Sequence, residues 1–400
     1  MDKKMAPELR FEGFEEPWEE KKLGDFGHVA MNKRIFKEQT NETGDVPFFK
    51  IGTFGKSPDA YITRELFEDY KKRYPYPKVG TLLISAAGSI GRTVQYAGED
   101  AYYQDSNIVW LEHNELLDDG FLKVFYSSCK WSTLEGTTLK RLYNKDILST
   151  DIAVPIVQEQ KALGEAFYNL DSHIAEQEKK CAALSAVKSS MLDKMFPKEG
   201  ETEPELRFEG FAGPWERVRL GELYRSVNEK NNLTFGRDKI ISVANMYFNT
   251  NVNVTEDSYL LTYNVMRLGD IAFEGHHNNQ FSHGRFVENY IGDGIVSHIF
   301  KVLRPVRKDH SLLYWKYAIN NERIMGPILT KSTKSSTMMH ELVTADFLEE
   351  SILVPSLNEQ RAIGTAIDSI DRLITLHQRK YETLRATKAA MLDKMFPKGA

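Results

Sequence analysis

Residues 7–25 read PELRFEGFEEPWEEKKLGD, and residues 204–222 read PELRFEGFAGPWERVRLGE. The same order of text then continues in both halves of the chain. IAVPIVQEQKALG at residues 152–164 parallels ILVPSLNEQRAIG at residues 352–364, and LDKMFPK starts at both Leu192 and Leu392. The first pair is offset by 197 positions (204 minus 7) and the other two by 200, so the middles differ in length by three residues. Repeats of this size are whole domains and not the short units of a solenoid. The chain therefore reads as an opening, a variable middle and a close, written twice.

Composition agrees with two folded units. Four hundred residues exceed what one hydrophobic core organises, and 41% of them are apolar. The longest apolar runs fall short of a bilayer span, and the N-terminal residues lack the apolar core of a secretory signal. A soluble, cytoplasmic protein with no membrane association is the expectation. Cys129 and Cys181 sit in unlike contexts and suggest neither a disulfide nor a metal site. The net charge of −5 means that any nucleic-acid binding must rely on locally concentrated basic residues.

Each close predicts a long helix. Apolar residues fall at Leu163, Phe167, Leu170, Ile174, Cys181, Leu184 and Met191, and again at Ile363, Ile367, Ile370, Ile374, Tyr381, Leu384 and Met391. This is heptad spacing over about four heptads. Gln177 and His377 occupy equivalent polar seam positions, as do Lys188 and Lys388. Pro155 and Pro355 precede the helices, and Pro197 and Pro397 end them. Such a helix is a rod of roughly 55 Å at ~1.5 Å per residue. A stripe this long needs a partner, and the other copy carries the matching one. Antiparallel pairing about a pseudo-two-fold axis would bring Gln177 close to His377, which a crosslink between the two positions would test. The alternative is that each helix folds back onto its own domain.

The predicted fold is α+β: two tandem mixed α/β domains, each followed by a long helix, with the helices paired as an antiparallel coiled coil. The expected divisions are 1–155 for the first domain, 156–198 for its helix, 199–355 for the second domain and 356–400 for the second helix. In the middles, GTLLISAAGSIGRTVQY and SNIVWLEH predict strands in the first copy, and GDIAFEGHHNNQFSHGRFV and SHIFKVLRP in the second. GFLKVFYSSCKW and LLYWKYAINN predict helices.

A duplicated scaffold with two unlike loop sets suits the reading of two unlike targets at a fixed separation, and DNA half-sites fit that description. Candidate DNA contacts in the first copy are Lys33, Arg34, Lys37, Lys56, Arg92, Gln104, Asn107, Lys140, Arg141, Asn144 and Lys145. In the second they are His276, His277, Asn278, Asn279, Gln280, His283, Arg285, Lys331, Lys334 and Ser335. Arginine and lysine pair with guanine edges or phosphates, and asparagine and glutamine pair bidentately with adenine.

Other chemistries have less support. The histidines of HHNNQFSHG face no ligands at the corresponding SAAGSIG of the first copy, so no metal is expected. SAAGSIG itself lacks the lysine of a phosphate loop and reads as a tight turn. PDAYITRELFEDYKK offers Asp59, Asp69 and Lys71 in a loose nuclease-like pattern, but it reads as a charged helix and has no counterpart in the second copy. No catalytic residue is expected.

Together, the repeated FEGF..PWE openings, the GTLLISAAGSIGR module, TTLKRLYNKDILSTDIAVPIVQEQKALG and the MLDKMFPK endings resemble the specificity subunits of type I restriction-modification enzymes, over essentially the whole chain. The resemblance implies two target-recognition domains that read the halves of a bipartite, asymmetric double-stranded DNA site, with the helices setting the spacer. It implies a non-catalytic subunit with no cofactor of its own. Its partners would be two modification subunits, which use S-adenosylmethionine to methylate adenine, and restriction subunits, which use ATP and Mg. The long helices, 160–196 and 360–396, would be the docking surface for the modification subunits. A homodimeric transcription factor or a two-domain protein-interaction scaffold would be the alternatives. Salt-dependent DNA affinity distinguishes the scaffold from the DNA readers.

Overall fold

The computed structural model describes residues 6–129, 131, 141–252, 256–276, 278–307, 310–335 and 339–397. The chain divides into two compact units. The first comprises residues 1–178 and 379–400, and the second residues 179–378. The two long helices, Val157–Lys194 and Leu357–Lys394, are each continuous over 38 residues, and the division falls inside them. Sequence repeat and structural unit are thus out of phase, because the end of each long helix belongs to the unit formed by the other repeat.

Both units are built on the same plan. In the first, strands Gly27–Ala30, Ile108–His113, Leu82–Ser85 and Thr93–Gln95 form an antiparallel four-stranded sheet in that order. In the second, Tyr224–Val227, Lys301–Pro305, Ile271–Glu274 and Arg285–Glu288 repeat it. The expected SAAGSIG turn joins Leu82–Ser85 to Thr93–Gln95, and Gly91 takes a φ of 80° there. A helix follows each sheet, Asp119–Ser128 in the first unit and Leu312–Ala318 in the second. Its buried face, Phe121, Leu122 and Val124 or Tyr314, Trp315 and Ala318, packs into the main core.

The start of each long helix packs onto its own unit. Leu163 and Phe167 lie in the first core, and Ile363 and Ile367 in the second, each stabilising by about 1.5–3 kcal/mol on burial. Glycine permits the close approach. A Cβ on Gly164 would lie 2.8 Å from the carbonyl carbon of Gly120, and one on Gly364 would lie 2.5 Å from the amide nitrogen of Tyr314. Beyond these turns, half-buried positions recur at Leu170, Ile174, Gln177, Cys181, Leu184, Lys188 and Met191, and at the equivalent positions 200 residues on, as the heptad stripe predicts.

Within each unit the long helices run antiparallel. In the first unit, Lys388 reaches Asp171, and the rings of Phe167 and Phe396 lie 6.5 Å apart. In the second unit, Lys188 reaches Asp371, whose Oδ2 also accepts from the Tyr317 hydroxyl at 2.7 Å. The two seam lysines are therefore matched by aspartates. The repeated MFPK ends complete the cores. Phe396 stacks on Phe121 at 5.8 Å and meets Trp18 edge-on at 5.7 Å, while Phe196 packs on Tyr314 and Trp215 at 5.7 and 6.0 Å.

Candidate functional site

The repeated text builds one junction twice. Strand Glu19–Lys22 of the first opening pairs with Asp151–Val154, and Glu216–Arg219 pairs with Ser351–Val354. These pairs carry each opening onto the first turn of a long helix, where a buried glutamate waits. Glu159, 1% exposed, receives Arg10 through Nε at 2.7 Å and Nη2 at 2.6 Å, with Trp18 Nε1 at 3.4 Å. Glu359, also 1% exposed, receives Arg207 at 2.7 and 2.9 Å and Trp215 Nε1 at 3.4 Å. A buried carboxylate is tolerated only when it is paired and hydrogen-bonded, and the arginine fork does both. The hydrogen bond each arginine donates to its glutamate, reinforced by the carboxylate's charge, raises both guanidinium pKa values above their ordinary value. Gln160 and Gln360 then donate to the carbonyls of Pro155 and Pro355 at 2.9 and 3.0 Å.

The same openings cap the far ends of the long helices. Leu9 N donates to Lys394 O and Leu206 N to Lys194 O, each at 2.8 Å, satisfying carbonyls that a helix terminus leaves open. Glu205 accepts from Lys194 and Lys198, which pull its carboxyl down to about 2. The identical words in the sequence thus have identical structural tasks, and what differs between the units lies in the loops.

In the first unit, five stretches of chain converge at one end of the sheet. Arg34 donates to Asp105 at 2.9 Å, and Arg141 donates to the Ser106 carbonyl at 2.9 Å. Gln104 Oε1 accepts from Ile51 N at 3.0 Å, and Arg92 donates to the Phe54 carbonyl at 3.0 Å. Lys56 and Arg92 share the lining of a cavity of about 270 Å³ with Phe54, Ser85, Gly88 and Ser89. Asn107 sits half-buried beside this cluster, its amide bonded to Asp105 O. Lys33 lies over the Tyr74 ring at 5.1 Å. Lys37, Asn144 and Lys145 are exposed, the last two on a short helix, Asn144–Leu148, next to the opening segment. Lys140 lies outside the described residues.

In the second unit, the loop after Ile271–Glu274 meets the hairpin Thr333–Ser335 and His340–Leu342. His340 N donates to Gly275 O at 2.8 Å, and the His283 and His340 rings are 5.2 Å apart. His276, Asn279 and Gln280 are exposed. Asn278 closes the turn, its Oδ1 accepting from Gln280 N and Phe281 N at 2.8 and 2.9 Å. Arg285 donates to Glu274 at 2.7 Å and to the Ala244 carbonyl at 2.6 Å, the same task that Arg92 performs at Phe54. Lys334 and Ser335 are exposed on the hairpin, and Lys331 pairs with Glu350 at 3.3 Å. His277 lies outside the described residues.

Among the candidates, then, Arg92, Gln104, Asn278 and Arg285 shape the loops, while Lys33, Lys56, His276, Asn279, Gln280, Lys334 and Ser335 stand on their surface. Residues not anticipated are Asp105, Ser106, Tyr74, Met246 and His340. Among the described residues, the non-glycine positions with positive φ are Ser106 (55°), Leu233 (69°) and Met246 (47°), and all three lie in loops of the variable middles. Such strain collects where a surface must hold a defined shape. The nuclease-like stretch is the charged helix Arg64–Arg73, in which Asp69 pairs with Arg73 and Lys71 reaches Asp100 at 3.6 Å.

One framework, built twice, thus carries two individual loop sets. The chain matches the type I restriction modification DNA specificity domain twice, over residues 15–184 and 213–386, and it belongs to that family. It is 51% identical over 158 residues to a putative type I restriction enzyme specificity subunit, S.HindORF215P, of Haemophilus influenzae. That match covers 38% of this chain and spans only 41% of the relative. The MjaVIII specificity subunit of Methanocaldococcus jannaschii is 23% identical over 315 residues, 72% of each chain. The crystal structure of the type I restriction-modification S subunit from M. genitalium shares the fold, with a TM-score of 0.62 over 99% of this chain and 100% of that one, at 15% identity. Among the described residues, no helix is long and apolar enough to cross a membrane.

Proposed function

We propose that this chain is the DNA-reading subunit of a type I restriction-modification complex. Each unit reads one half of a bipartite, asymmetric double-stranded site, and the long helices, each about 57 Å at ~1.5 Å per residue, set the spacer between the halves. The chain performs no chemistry itself. Two modification subunits using S-adenosylmethionine methylate adenine, and restriction subunits using ATP and Mg cleave, both directed by this subunit. A base inside a duplex must be extruded before it is modified, and that step belongs to the methyltransferase partner.

The observation that carries this reading is the contrast between framework and loops. The Arg10–Glu159 and Arg207–Glu359 junctions use the same arginine, glutamate and tryptophan atoms for the fork, whereas the surfaces around Lys56 and Arg141 and around Asn279 and Lys334 share almost no chemistry. One framework with two texts is what an asymmetric site requires. The test is to map methylated adenines in a cell carrying this chain and its methyltransferase partner. A motif of two unlike half-sites separated by a fixed unspecified spacer is expected. A contiguous motif, or no dependence of methylation on this chain, would overturn the proposal.

A further inference from the structure

Each unit holds a large apolar side chain out in solvent at the same place in its fold. Phe36 and Leu233 both stand six residues beyond the first sheet strand, which ends at Ala30 in one unit and at Val227 in the other. They are 52% and 51% exposed. Isolated exposed apolar side chains are ordinary on protein surfaces. These two differ from that background because two loops of unrelated sequence, KRIFKEQ and KNNLTFG, arrive at the same presentation.

Both turns are fixed by side-chain hydrogen bonds. Phe36 N donates to Gln39 Oε1 at 2.9 Å, and Gln39 N returns to the Phe36 carbonyl at 3.0 Å. Around Leu233, buried Asn231 donates through Nδ2 to the Phe235 carbonyl at 2.9 Å and accepts from Phe235 N at 3.3 Å, while Thr234 N donates to Asn232 Oδ1 at 3.2 Å. Leu233 itself sits at a φ of 69°, a left-handed conformation that a Cβ disfavours and that glycine or asparagine would adopt freely. Leucine there strains the backbone, and its side chain is half exposed, so the fold gains little in return. Charged residues of both signs flank each tip in the sequence: Lys33, Arg34, Lys37 and Glu38 in the first unit, where Arg34 pairs with Asp105 at 2.9 Å, and Lys230, Arg237 and Asp238 in the second, where Arg237 pairs with Asp257 at 2.7 Å.

We infer that Phe36 and Leu233 are apolar wedges, one per recognition unit, that press between or against base pairs of double-stranded DNA. This rests on the DNA reading proposed above. An apolar side chain held out on a fixed turn is the form that unstacks a base step, whereas a protein–protein contact needs a far larger apolar patch than one side chain. The wedge also supplies a way to discriminate steps by their ease of unstacking, without hydrogen bonds to bases.

The test measures binding of the full chain to a duplex carrying its methylation-mapped site, across a salt series, for the wild type, Phe36→Ala, Phe36→Leu and Leu233→Gly. Phe36→Ala and Leu233→Gly should each lower affinity by about ten- to a hundredfold, the worth of one buried apolar side chain. The slope against salt should stay unchanged, because no counterion is released by an apolar contact. Phe36→Leu should retain most of the affinity. Leu233→Gly should melt at the wild-type temperature or above, since it relieves strain, which separates a binding role from a folding one. Variants that bind the duplex like the wild type would overturn the wedge while leaving the DNA reading intact. The same holds for variants that lose only association with the methyltransferase. A wild-type chain with no salt-dependent duplex affinity would instead overturn the DNA reading itself.

Discussion

Replacing Arg10 with alanine removes both donors of the fork on Glu159 and leaves that carboxylate, among the described residues, with Trp18 Nε1 alone, at 3.4 Å. Glu159 is 1% exposed in the intact junction, so the truncation leaves a charge that the fold holds largely out of water. Breaking a buried ion pair from one side costs about 3–5 kcal/mol, against roughly 5–15 kcal/mol for the stability of a whole domain. At 1.4 kcal/mol per decade this is about two to three and a half orders of magnitude in the opening equilibrium of the first unit. Hydrogen exchange read by mass spectrometry reports the units separately. Arg10→Ala should accelerate exchange by that factor in segments 18–30 and 151–167, and Arg207→Ala should do so in 215–227 and 351–367. Arg10→Met combined with Glu159→Leu should recover much of the loss, because a hydrophobic pair of similar volume carries no desolvation cost. Exchange in segments 18–30 and 151–167 that stays within tenfold of the wild type after Arg10→Ala would refute the reasoning.

The helix crossings give a second expectation: Gly164→Val and Gly364→Val force a Cβ against backbone atoms at 2.8 and 2.5 Å and should each destabilise by at least about 1–3 kcal/mol in thermal melts. His113, whose Nε2 lies 3.1 Å from Asp119, has its pKa raised chiefly by that hydrogen bond, so its contribution is full below the unfolded value near 6.5. It is lost as pH rises through the folded value, so the fall in melting temperature from pH 6 to pH 9 should shrink in His113→Asn. Deleting one heptad from each long helix between 171 and 191 and between 371 and 391 keeps the stripe aligned to within ~20° and shortens the rod by about 10 Å. The methylated motif should keep both half-sites and lose about three base pairs of spacer; altered half-site letters would count against a ruler.

Much of the framework was legible because it is periodic or repeated. The heptad stripe placed both long helices, since burial along a helix follows its 3.6-residue turn. Lys188 and Lys388 stood out as polar exceptions in that stripe, but their partners did not, because Asp371 and Asp171 lie more than 180 residues away in the chain. The loop candidates were named by residue type alone. Type cannot tell Arg285, spent on Glu274 and a carbonyl, from Lys334, which stands exposed.

By itself the sequence determined that there are two copies of one scaffold, that each ends in a long amphipathic helix, and that the middles differ. These properties are local or comparative and need no contact map. Only the tertiary structure decided which ends complete which core. Phe396 closes on Trp18 and Phe196 on Trp215, so each unit borrows the close of the other repeat. It also decided that the arginine of each opening neutralises a glutamate about 150 residues further on. Such pairings arise when burial forces a charge to find its complement in space, and spacing along the chain does not encode them.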